Sequence, residues 1–134
     1  MRARMRRVCS ENERGFSTLE AVVVIPTVVI MTMLVIQYVM LWHARNVAEA
    51  AAQNALRVAR GYQSTAVAGQ TSATQYLREV AGNLLHCHNC VHVERTATAV
   101  TVTIHATVSS VVPFGSYTVT ETASGPVEKY SPVG

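Results

Sequence analysis

Gly15-Phe16-Ser17-Thr18-Leu19-Glu20 opens an apolar run, Ala21 to Trp42, whose 22 residues carry no charge. About 20 apolar residues in helical conformation cross a bilayer. The stretch therefore predicts one membrane-spanning helix over residues 16–42, a leader before it at 1–15 and a body after it at 43–134. Arg2, Arg4, Arg6, Arg7 and Arg14 make the leader basic. Glu20 is the unusual residue, a carboxylate at the edge of hydrocarbon. Such a charge costs on the order of a few kcal/mol, so it needs a partner or a function.

Four features coincide here: a basic leader, a Gly15-Phe16 junction, Glu20 at the fifth place after Gly15, and an uninterrupted apolar run. Together they resemble the processing site of type IV prepilins and pseudopilins. The resemblance implies that a prepilin peptidase cuts between Gly15 and Phe16, freeing the Phe16 amine. It also implies that Glu20 neutralises the N-terminal amine of a neighbouring subunit during assembly.

Leu19-Glu20-Ala21, with Pro26 six places after the glutamate, is similar to the TadE-like proteins of tight-adherence (Flp-type) pilus systems. So are Trp42-His43-Ala44-Arg45-Asn46-Val47-Ala48, the Ala-rich continuation to Arg60, and the ending Ala123–Glu128. The resemblance implies a minor pseudopilin that works by assembly, not catalysis, and uses no cofactor. Its implied partners are the prepilin peptidase, other pilin or pseudopilin subunits, the pilus assembly platform and the lipid bilayer. Ala21, where major pilins of this type carry an aromatic, points to an accessory subunit, as does the length of the chain. Two alternatives stay open: a pseudopilin of a type II secretion or competence system, and a single-pass anchored domain that binds metal through His86–His92.

The net charge of +3 invites a nucleic-acid reading, which its distribution opposes. Residues 1–15 hold five arginines against Glu11 and Glu13, which accounts for all of the excess. In the remainder, six basic residues balance six acids. A phosphate-binding footprint is absent from the body. The same asymmetry predicts a single pass through the cytoplasmic membrane, with the N-terminus cytoplasmic and the body outside. A secretory signal is the weaker reading, because its apolar region runs about 7 to 15 residues. The small-residue triplet Ala48-Glu49-Ala50 lies well past the end of the run.

Along the chain, the leader has no reason to fold and carries Cys9 away with it. Residues 16–60 read as one long helix, lipid-embedded at first, with Pro26 expected to kink or loosen it. Tyr38 and Trp42 fall where an interfacial aromatic anchor belongs. After them, Ala48, Ala52, Ala55 and Ala59 form a stripe of small side chains, best explained by close packing within the body. Gly61 ends the helix. Residues 61–71 read as a linker, and Ser72 three before Gln75 as a capping signal for a second helix over 73–85. From Val91 the apolar period becomes two, most clearly at Val100, Val102, Ile104, Ala106 and Val108. The expected architecture is α+β and type IV pilin-like: a long helix, a second helix and a three-stranded antiparallel sheet.

His86-Cys87-His88-Asn89-Cys90-Val91-His92 is the one cluster whose residue types could carry chemistry. A structural zinc site draws its second ligand pair from elsewhere in the chain, and no such pair is present. A thioredoxin-type site needs the C-x-x-C at a helix start. In an exported body, a small-loop disulfide between Cys87 and Cys90 is the plainest reading; free thiols, a metal and redox catalysis rank below it in that order. No metal site is expected, and no catalytic set is visible in a chain without aspartate.

Overall fold

The computed structural model describes residues 8–132, with side chains from Thr18 onward. Six elements follow in the order α1 (Val8–Arg60), α2 (Ala66–Val80), β1 (Leu85–His86), β2 (Val91–Arg95), β3 (Ala99–Val108) and β4 (Tyr117–Pro126). They fall into two compact units divided between Ile36 and Gln37.

In the first unit the backbone is helical from Val8, within the leader expected to be unstructured. Residues 9–14 contain neither proline nor glycine, the two residues that most disfavour a helix. The helix continues through Pro26. From Val22 to Ile36 the side chains are exposed, with Val22 at 69% and Ile25 at 62%. An apolar surface open all round fits a helix whose solvent is lipid. The polar groups in it satisfy themselves: Thr27 Oγ1 donates to the Val23 carbonyl at 2.7 Å, and Thr32 Oγ1 to that of Val28 at 2.8 Å. With no water in hydrocarbon, a hydroxyl must find such a partner on its own helix.

In the second unit, residues 37–60 of α1 bury the alanine stripe completely: Ala44, Ala48, Ala51, Ala52, Ala55 and Ala59 are each at most 1% exposed. They share one core with Leu77 of α2 and the inward residues of the sheet. Small side chains let backbones approach, and Gly69 shows how far. A Cβ at Gly69 would lie 2.7 Å from the Ala59 Cβ and 2.9 Å from the Ala55 carbonyl oxygen.

The second helix runs from Ala66 to Val80, not over 73–85. Thr65 is its N-cap, with Oγ1 accepting from the Ala68 N–H at 3.1 Å. The expected capping pair lies inside the helix, where Gln75 bonds Glu79 instead. At the other end Gly82, with φ +50°, turns the chain out of helical geometry, so Leu85 serves the sheet.

The sheet has four strands where three were expected. β3 is its centre, paired antiparallel along its length with β4 from Ala99↔Pro126 to Val108↔Tyr117. Along its other edge lie β2 (Val91↔Ile104 to Arg95↔Val100) and then β1 (Leu85↔Val108, His86↔Thr107). The extra strand comes from an edge interrupted at residues 87–90, four residues that stand opposite only His105 and Ala106. Two surplus residues form a bulge, and an even number leaves the alternation intact. Leu85 and Val91 therefore both face the core. Val100, Val102, Ile104, Ala106 and Val108 supply the inward face of β3. Burying each of the larger ones stabilises by roughly 1.5–3 kcal/mol.

The segment after β3 returns to the end of α1. β4 extends to Pro126, and beyond it the Glu128 N–H donates to the Arg60 carbonyl at 2.8 Å. Arg60 Nε lies 3.3 Å from the Glu128 carboxylate, and Tyr62 and Tyr130 stack at 5.8 Å between centroids.

Candidate functional site

Gly15 and Phe16, the expected processing site, lie within the helical backbone of α1, but their side chains fall outside the described ones. Glu20 is exposed and makes no ion pair among the described residues. It stands one residue before the apolar stretch that exposes Val22–Ile36. In water such a carboxylate needs nothing further. In a bilayer it needs a cation, and the described residues of its own chain do not provide one. This is the one described helix long and apolar enough to cross a membrane, and its apolar window is not buried within the protein.

The cysteine–histidine cluster belongs to the second unit. Cys87 and Cys90 are joined in a disulfide with Cα atoms 5.1 Å apart. The bridge closes the bulge between β1 and β2, which Asn89 helps to turn in the left-handed region at φ +56°. The His105 N–H donates to the Cys90 carbonyl at 2.8 Å, pinning the bulge to β3. Two of the histidines are engaged by hydroxyls, His86 Nε2 with Ser109 Oγ at 3.1 Å and His105 Nδ1 with Thr120 Oγ1 at 2.9 Å. Among the described residues no three His, Cys, Asp or Glu side chains converge in a way that could hold a metal. An open groove of about 570 Å³ runs past Leu77, Arg78, Leu85, His86, Cys87 and His105, and its lining holds no carboxylate.

The candidate residues thus fall into two groups. Gly15, Phe16, Glu20 and Pro26 share one helix in the first unit, and Cys87 and Cys90 close a sheet-edge loop in the second. Residues 15–57 match the family model of TadE-like proteins. The chain carries a TadE-like segment. The match begins at Gly15, takes in Glu20, Pro26 and the apolar stretch, and ends within the alanine stripe. It covers about a third of the chain, and α2 and the sheet lie outside it. No curated protein and no solved structure matches the chain. The apolar helix within that segment fits a single-pass membrane anchor.

Three residues hold the body together through partners that the sequence did not reveal. Gln37, a polar guest in the apolar run, was expected to bond a neighbouring helix and instead bonds the β3–β4 loop. Arg95 reaches across to the end of α1, where Nε donates to the Ala59 carbonyl at 2.9 Å and a terminal nitrogen to that of Gly61 at 3.4 Å. Gln37 Oε1 accepts from the Val111 N–H at 2.8 Å. Thr65 caps α2. Thr65 had a local signal, a hydroxyl residue directly before the first helical turn, and Gln37 stood out as a polar residue in an apolar run, but Arg95 had none.

Proposed function

We propose that the protein is a minor pseudopilin of a tight-adherence pilus system, cut between Gly15 and Phe16 by a prepilin peptidase and active through assembly, not catalysis. The observation that carries this reading is Glu20, exposed and without an ion-pair partner among the described residues, beside a lipid-compatible helix and inside the TadE-like segment. A free Phe16 amine on a neighbouring subunit is the cation that this carboxylate lacks. In low dielectric the attraction is large, and it acts only when two subunits lie side by side, so it selects the assembled register. Pro26 supports the same reading, because loss of one backbone donor lets the helix bend as it packs. The body is then the exported part, with the leader arginines left on the cytoplasmic side.

The test is the N-terminus of the protein recovered from membranes, with and without the prepilin peptidase. A chain starting at Phe16 only when the peptidase is present supports the proposal; one starting at Met1 in both cases refutes it. Glu20→Ala separates the two steps. It is expected to be processed normally but to be lost from the isolated pilus assembly complex.

A further inference from the structure

The β3–β4 connection reads Ser109-Ser110-Val111-Val112-Pro113-Phe114-Gly115-Ser116 and contains no charged residue. Three of its four apolar side chains point outward. Phe114 is 78% exposed, Val111 40%, and Pro113 is exposed between them. A single exposed apolar residue is ordinary, but three within four positions and no charge among them form a patch.

This loop is not adrift. The Val111 N–H donates to Gln37 Oε1 at 2.8 Å, and Ser110 Oγ lies 3.3 Å from the same oxygen. The Gln37 side chain is only 5% exposed, so the tie is sheltered from competing water. Gln37 follows directly on Ile36, the last residue of the continuous exposed apolar stretch. The loop is therefore fastened to α1 at the residue where the lipid-compatible surface gives out. On the same stretch Tyr38 and Trp42 are 71% and 59% exposed. Exposed aromatics at the end of a span are the side chains that settle at the membrane–water interface.

We infer that the Val111–Phe114 loop is a second membrane contact, inserting into the bilayer interface on the body's side with Phe114 as its wedge. The inference rests on α1 spanning the bilayer and does not require the pilus reading. Uncharged, apolar composition suits the lipid side of that interface, and attachment at Gln37 sets the loop's depth. The body is then held to the bilayer by the helix and by the loop.

The test uses the full chain in lipid nanodiscs, with Trp42→Phe as background, and a single tryptophan introduced at one of three places. Phe114→Trp reports on the loop, Val29→Trp on the span, and Tyr130→Trp on the far end of the body. Quenching by lipids brominated near the headgroup end of the acyl chain is compared with quenching by acrylamide. Phe114→Trp is expected to be quenched by bromolipid several-fold more than Tyr130→Trp, and to be correspondingly shielded from acrylamide. If Val29→Trp is quenched by bromolipid but Phe114→Trp behaves like Tyr130→Trp, the loop proposal falls and the span stands. If Val29→Trp is not quenched, the span and the proposal fall together. If Phe114→Trp is shielded only with several copies per disc and exposed at one copy, the loop's partner is a second chain and the proposal is overturned. Far-UV circular dichroism of each variant establishes that it is folded.

Discussion

Replacing Gly69 with valine tests the closest approach in the body. Gly69 lies in α2 where a Cβ would come within 2.7 Å of the Ala59 Cβ and 2.9 Å of the Ala55 carbonyl oxygen. Neither neighbour is the flexible end of a long side chain, so relief requires the two helices to separate. That separation would loosen the packing of Ala55, Ala59, Ala73 and Leu77, all at most 3% exposed. Overpacking of this kind costs typically about 1–3 kcal/mol. Helix propensity works the other way, but valine recovers only a few tenths of the roughly 1 kcal/mol that alanine would gain over glycine. The clash wins. For a domain of about 100 residues each kcal/mol lowers the midpoint by roughly 4–8 °C, so a fall of about 5–20 °C is expected. The assay is thermal unfolding of the full chain in detergent, followed by near-UV circular dichroism. Gly69→Ala carries the full propensity gain and a smaller clash, so it should fall between wild type and Gly69→Val. A Gly69→Val midpoint equal to or above wild type would refute the claim that α1 and α2 pack at backbone distance.

Arg95→Met removes the donors that satisfy the carbonyls of Ala59 and Gly61 while keeping an alkyl stem. Hydrogen bonds to a charged donor are worth about 1.5–3 kcal/mol, so the urea midpoint should drop correspondingly, and Arg95→Lys should restore only part of it. Removal of the Cys87–Cys90 bridge, by reductant or by Cys87→Ala with Cys90→Ala, should cost roughly 2 kcal/mol on the loop-entropy estimate for so short a ring. Reductant should then leave the double variant's midpoint unchanged, and a further shift would show that it acts elsewhere.

Legibility in the sequence followed the range of the interaction. The apolar run to Trp42, the alanine stripe and the strict alternation of β3 are periodic along the chain, so the environment of each side chain repeats at the helix or strand period. These could be read directly. The bounds of α2 were misread because two capping signals lay seven residues apart, at Thr65 and Ser72. Local chemistry did not rank them, whereas the burial of Gly69, Ala73 and Leu77 against α1 did. The fourth strand was missed for a related reason. Leu85-His86 is too short to show a period, and becomes a strand only because Val108 and Thr107 stand opposite it.

The sequence by itself determined an apolar helix long enough to cross a membrane, the acidic residue at its edge and the basic residues before it. Hydrophobicity and charge are properties of residues, and lipid responds to them without reference to the rest of the fold. The TadE-like segment is made largely of such residues. Tertiary structure alone decided the order of the sheet, the bulge that the disulfide closes, and the capping of α1 by Arg95. It also decided the fastening of the Val111–Phe114 loop to Gln37, a hydrogen bond between residues 74 apart in the chain. Such a contact has no local signature, because a buried glutamine and an uncharged loop acquire their meaning only when the fold brings them to hydrogen-bonding distance.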